Sequence, residues 1–144
     1  MQSSTKQDRA RVVLDTNIVV SALIAKEGAS ARLFEKLILG EMENYTNKEI
    51  ILELKEVFGR KEITERTAKT ARKFVIREYL NNSIQIAIKS KVNAAEHSQD
   101  NKFIETCLDA DATYLITGDK HLLKVKEFRG IKIMTAKEFL ERQY

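Results

Sequence analysis

Two short apolar runs in this chain each lead into an acid. Val12-Val13-Leu14 runs into Asp15-Thr16-Asn17, and Leu115-Ile116-Thr117 runs into Gly118-Asp119. Apolar runs of this kind, the first rich in β-branched residues, read as strands buried on both faces. An acid at the C-terminal end of such a strand stands on the edge of an open parallel sheet where ligands bind. Two further acids are candidates for the same edge. Asp100 opens a helical pattern, and Glu53 lies inside another, on a flank shared with Glu49 and Glu56. Each has a plainer reading. Asp15, Thr16 or Asn17 could simply cap the next helix, Asp100 and Asp119 are also ordinary cap residues, and Glu53 could be a solvated charge. Spacing alone does not show that four distant acids meet.

If they do meet, the chemistry is constrained. Two carboxylates 4 Å apart repel by about 4 kcal/mol at an effective dielectric of about 20. Such a cluster takes up protons or binds a divalent cation. Oxygen-only ligands suit Mg²⁺ or Mn²⁺. One or two such ions could activate a water and hold a phosphodiester for in-line attack. Thr16, Asn17 and Thr117 would then be supporting polar groups, and Lys102, Lys120 and Lys124, beside the acids in sequence, would meet the phosphates. Arg66, Lys69, Lys73 and Arg77 recur at helical spacing. That stripe could track a phosphate backbone, but a solvated surface is the preferred reading. Zinc is not expected, because Cys107, His97 and His121 show no ligand spacing. Cys107 falls on an apolar helical stripe with Phe103 and Leu108 and reads as core.

The elements that must position these residues follow from periodicity and turn signals. A strand at 11–15 precedes a helix at 17–25, which Gly28 breaks. A second helix spans 30–39 with Ser30 as its cap, followed by a short strand at 43–46. Thr46-Asn47-Lys48-Glu49 has the form of a capping box for a helix reaching Phe58. After a charged connection at Gly59-Arg60, a long helix at 64–81 turns Ala68, Ala71, Phe74, Val75 and Leu80 inward. A strand at 84–88, a polar loop at 89–99, a helix from Asp100, a strand at 114–117 and a helix at 119–126 come next. A strand at 131–134 and a helix at 136–141, capped by Thr135, close the series. Strands alternating with helices imply α/β architecture with a mainly parallel sheet. Right-handed crossovers put the strand C-termini on one edge. The expected fold is a three-layer α/β/α sandwich.

Composition sets the outer bounds. The 144 residues, 43% hydrophobic and 32% charged, fit one domain. Residues 1–10 are polar and read as a flexible leader, leaving 11–144 as a single domain. No apolar run approaches the roughly 20 residues needed to cross a bilayer, so no membrane partner is expected. A single cysteine is compatible with a reducing, cytoplasmic setting. The net charge of +4 and pI of about 9.1 favour a polyanionic partner such as nucleic acid.

Val12-Val13-Leu14-Asp15-Thr16-Asn17, Glu53, Asp100-Asn101-Lys102-Phe103 and Tyr114-Leu115-Ile116-Thr117-Gly118-Asp119-Lys120 together resemble the PIN domain. The likeness runs from about residue 11 to the end and is closest to small prokaryotic PIN proteins of toxin–antitoxin systems, the group of the VapC-type toxins. The resemblance implies a parallel sheet of about five strands and an endoribonuclease dependent on Mg²⁺ or Mn²⁺. It carries catalytic and metal-binding roles onto Asp15, Glu53, Asp100 and Asp119, with Glu49 and Glu56 as alternatives to Glu53, and supporting roles onto Asn17 and Thr117. It also implies RNA as substrate, an antitoxin protein as partner and a homodimer. His121 departs from the pattern, since many relatives carry an acid there; it reads as a solvated helix residue. The competing class is a catalytically weak RNA-binding or partner-binding PIN module. An aspartyl-phosphate enzyme is disfavoured, because haloacid-dehalogenase-like phosphatases need a second acid where Asn17 stands.

Overall fold

The computed structural model describes residues 9–142. Its first strand, β1 (Ala10–Leu14), is followed by α1 (Thr16–Ile24), α2 (Ala29–Ile38), β2 (Met42–Thr46) and α3 (Lys48–Phe58). Then come α4 (Lys61–Thr64), α5 (Lys69–Asn81), β3 (Ser83–Gln85), a 3₁₀ turn (Ser98–Asp100) and α6 (Asn101–Ala110). The chain continues through β4 (Tyr114–Ile116), α7 (Lys120–Leu123), β5 (Glu127–Phe128), β6 (Ile131–Met134) and α8 (Ala136–Glu141). The six strands form one sheet in the order β3-β2-β1-β4-β6-β5. Every pairing is parallel except β5 with β6, so the sheet has one strand more than the expected five. The extra strand comes from a tight hairpin at Arg129-Gly130, where both residues have positive φ, as a two-residue turn that fits strand twist requires.

Alternation along the strands builds two cores. Val12 and Leu14 face one side, with Ile18, Val19, Leu33, Leu37 and Phe139. Val13 faces the other, with Leu115, Ile133, Phe103, Ile104 and Cys107. β1 is therefore covered on both faces, as its continuous apolar run predicts. Its other neighbour, β4, pairs Leu14 with Ile116, which makes the two acid-ended strands adjacent at the centre of the sheet. Helix α3 crosses from one layer to the other: Ile50 belongs to the second core, and Leu54 and Phe58 to the first. That path carries the middle of α3 over the C-terminal edge of the sheet.

Several local expectations are corrected. Arg9 and Ala10 are part of the fold, not of a leader: Ala10 opens β1, and the Arg9 guanidinium donates to the Gly40 carbonyl at 3.0 Å and pairs with Glu43 at 3.0 Å. The rest of the expected leader, residues 1–8, lies outside the described residues, as do 143–144. Gly28, not Ser30, precedes α2, and Asn47, not Thr46, caps α3, its side chain accepting from the Glu49 and Ile50 amides. Thr46 is occupied in β2 and accepts instead from the Tyr79 hydroxyl at 2.8 Å. In α5 the inward residues are Val75 and Tyr79, while Phe74 and Leu80 are exposed. The helix starts later than expected, and a buried phenol is tolerated because its hydroxyl has a partner. The strand expected at 84–88 pairs only as far as Gln85, as an edge strand with β2 as its one neighbour. The helix expected at 119–126 is a single turn that ends at Leu123, and the positive φ of Lys126 lies beyond it.

Candidate active site

At the C-terminal edge of the sheet, Asp15 follows β1 and its amide donates to the Ile116 carbonyl of β4 at 2.9 Å. One carboxylate oxygen of Asp15 accepts from the Asn17 amide at 3.3 Å, capping α1. The other accepts from the Thr117 hydroxyl at 2.5 Å. The same Thr117 oxygen accepts from the Asp119 amide at 3.0 Å, so one buried hydroxyl ties both acidic junctions together. Asp119 repeats the cap, accepting from the His121 amide at 2.8 Å. The plain cap reading and the site reading are therefore both true of Asp15 and Asp119. Capping uses one carboxylate oxygen and leaves the other for further work. Asp100 makes no side-chain cap bond. Asn17 accepts from the Gly118 amide at 3.4 Å.

Glu53 is the member of its helical flank that reaches the edge. Thr16 donates to one of its oxygens at 2.5 Å and the Lys102 ammonium to the other at 3.1 Å. Glu56 turns away to a two-point contact with Arg60, at 3.0 and 2.8 Å, and Glu49 is exposed nearer the start of α3. Asp15, Glu53, Asp100 and Asp119 thus line one cleft of about 360 Å³. The sequence reading missed Arg60 and Gln99, which line it too. Helical spacing held a signal for Arg60, since Glu53, Val57 and Arg60 fall on one stripe of α3 and its end. Lys102, expected at the substrate, is instead committed to Glu53 and the Gln99 carbonyl, with its side chain 13% exposed. Lys120 and Lys124, also expected at the substrate, are exposed and do not line the cleft; the Lys124 ammonium lies 4.0 Å from Glu96. None of Arg66, Lys69, Lys73 and Arg77 lines the cleft. Burial pushes the Cys107 thiol upward, which leaves it inert core, as expected.

Clustering shows in the acid chemistry. Burial, reinforced by the charges of Asp100 and Glu53, pushes the Asp15 carboxyl up to about 6, against the pull of its Thr117 and Asn17 hydrogen bonds. Asp100 is also raised, by burial first and then by Asp119. Among the described residues no cation lies within ion-pair distance of Asp15, Asp100 or Asp119; Lys102 pairs with Glu53, and its charge only partly offsets the rise at Asp100. An all-oxygen donor set with this surplus of negative charge fits a hard divalent cation. Those four carboxylates are the residues that would hold it.

The chain belongs to the PIN domain family, whose model matches residues 11–121. PIN domains are generally nucleases, and they typically use divalent metals. The chain is also similar to an uncharacterized protein of Methanocaldococcus jannaschii, 27% identical over 92% of this chain and 91% of that relative. No described helix is long and apolar enough to cross a membrane.

His121, expected as a solvated helix residue, does lie on α7 with its side chain open to solvent, and it also contacts Glu96 through Nδ1 at 2.8 Å and packs edge-on against His97, ring centres 4.6 Å apart. The two histidines that lack ligand spacing in sequence are brought together by the fold.

Proposed function

We propose that the protein is a metal-dependent endoribonuclease that hydrolyses RNA phosphodiesters at the four-acid cleft. The observation that supports this most is the convergence of Asp15, Glu53, Asp100 and Asp119, from four separate elements, on one cleft in which Asp15 is buried and without a counter-charge. The four carboxylates would hold Mg²⁺ or Mn²⁺, which would supply a nucleophilic water at neutral pH and neutralise the phosphate. The chain's own residues prepare for it. Thr117 fixes Asp15 and the Asp119 turn in one register, and Thr16 and Lys102 clamp Glu53 so that its carboxylate cannot rotate away. Exposed Lys120 and Lys124, on the turn that follows Asp119, add positive charge that favours the approach of a phosphate to four carboxylates. Arg60 is exposed at the same cleft and can exchange Glu56 for a phosphate oxygen.

Purified protein incubated with an RNA pool and Mn²⁺ tests the reading. Internal cleavage that EDTA stops, and that Asp15→Asn with Asp119→Asn abolishes, is expected. Cleavage surviving both substitutions would remove the site from the chemistry. The proposal extends to a toxin role with an antitoxin partner and to a homodimer in solution. Growth arrest on expression and light scattering address these separately.

A further inference from the structure

We propose that Glu96, His97 and His121 form a second metal site, separate from the four-acid cleft, that takes Zn²⁺ or a similar borderline-soft divalent cation. Each of the three side chains offers a ligand atom, and these atoms lie within 4.8 Å of one another. Two imidazole nitrogens and one carboxylate oxygen, with water in the fourth position, are a zinc donor set. That mixture separates the site from the cleft, where every side-chain donor is an oxygen suited to harder ions.

The geometry is close to what such an ion needs. With bonds of about 2.0–2.1 Å, ligand atoms in a tetrahedral site stand about 3.3 Å apart. The His121 Nδ1 and Glu96 Oε2 atoms are already 2.8 Å apart, so here a cation would replace a direct contact. Closing the remaining spread from 4.8 Å takes a movement of side chains that are open to solvent, Glu96 at 46% and His121 at 43% exposure. The Lys124 ammonium, 4.0 Å from the same Glu96 oxygen, must swing away. Its side chain is 71% exposed and loses no buried contact in doing so. His97 and His121 are already in edge-to-face contact, which restricts both rings before any ion arrives.

The site also has a consequence for the fold. Glu96 and His97 close the long loop after β3, directly before the 3₁₀ turn that ends in Asp100. His121 is in the first turn of α7, which Asp119 caps. A cation held by all three would fasten the segment that carries Asp100 to the segment that carries Asp119.

The test uses the full chain, stripped of metal by a chelator and then held in excess Mg²⁺ to occupy the cleft. Zn²⁺ is titrated by calorimetry and Co²⁺ by its visible d–d absorption. One equivalent of Zn²⁺ should bind with Kd of about 10 µM or tighter, with a rise in Tm and a tetrahedral Co²⁺ spectrum. His97→Ala and His121→Ala should each weaken Zn²⁺ at least about tenfold and erase that spectrum, and Glu96→Gln should weaken it by a similar factor. Asp15→Asn and Glu53→Gln should leave both readouts as they are. Melting curves without metal confirm that the variants fold, as expected of exposed positions. Absence of saturable Zn²⁺ binding below about 100 µM, binding indifferent to both histidines, or binding lost in Asp15→Asn or Glu53→Gln would each overturn the proposal.

Discussion

The junction after β1 and the junction after β4 share one local design and differ in what surrounds it. In both, a buried strand ends, an aspartate accepts a backbone amide two residues on, and a helix starts. In both, Thr117 is the neighbour, donating to Asp15 and accepting from the Asp119 amide. Yet α1 is a nine-residue helix packed into the first core, and Asp15 beneath it is only 5% exposed. Helix α7 is a single turn, and Asp119 is only half-buried. The same cap therefore yields one carboxylate whose charge is costly and one whose charge water still shares. A site that must attract a cation and also let a substrate approach is served by having one of each.

Neutralising the two acids separately gives the largest expected effects. Asp15→Asn and Asp119→Asn should each reduce Mn²⁺-dependent RNA cleavage by more than the roughly 10–100-fold that loss of a supporting group costs a metal site. Single-turnover rates measure this. If only Asp15 matters, the two junctions are not equivalent partners in the site.

Stability should separate them next. The Asp15 carboxyl sits at about 6 in the folded protein against an ordinary 3.8. A raised carboxyl opposes folding when ionised. That penalty is full above about pH 6, shrinks as pH falls toward 4, and is of order 3 kcal/mol. In EDTA, the wild-type protein should gain stability relative to Asp15→Asn as pH is lowered from 7 to 4. Denaturant midpoints across that range read the difference, and equal slopes would contradict the contrast between the junctions. Adding Mn²⁺ at pH 7 should raise the wild-type Tm more than the Tm of Asp15→Asn, since a ligand of the folded state adds RT ln(1+[L]/Kd).

Thr117→Val asks whether the shared hydroxyl couples the two. It strands a buried Asp15 oxygen and the Asp119 amide, at a cost of about 1–3 kcal/mol. It should also push the Asp15 carboxyl further up, moving the acid limb of the rate profile to higher pH. A loss of stability with no movement of that limb would make Thr117 structural only. The smallest effect belongs to Lys102→Gln. Glu53 keeps its Thr16 partner, so activity should drop by roughly tenfold with little change in Tm. A complete loss would mean that Lys102 contacts substrate after all.

Much of this was legible in the residues. Continuous apolar runs at Val12–Leu14 and Leu115–Ile116 mark central strands because both faces of a parallel sheet are covered. Acids directly after them must lie on one edge, given right-handed crossovers. Thr135 announces α8 as its cap, and the structure adds the reciprocal bond from Glu138 that completes a capping box. What was not legible depends on neighbours. Asn47 displaces Thr46 as a cap because β2 holds Thr46 in its ladder and Tyr79 uses its hydroxyl. Phe74 and Leu80 turn outward because α5 packs on the sheet through Val75 and Tyr79.

The sequence by itself determined the layers of this protein, the adjacency of acid and strand end, and the residue types an acidic site requires. Those are consequences of periodicity and of backbone geometry, which act over a few residues. Only the tertiary structure decided that Glu53 and not Glu49 or Glu56 joins the cleft, that Lys102 pairs with Glu53, and that His97 meets His121 beside Glu96. Each of these turns on where separate elements come to rest against one another. That is set by how α3 crosses the sheet edge and how the loop after β3 returns to α7, and no local spacing encodes it.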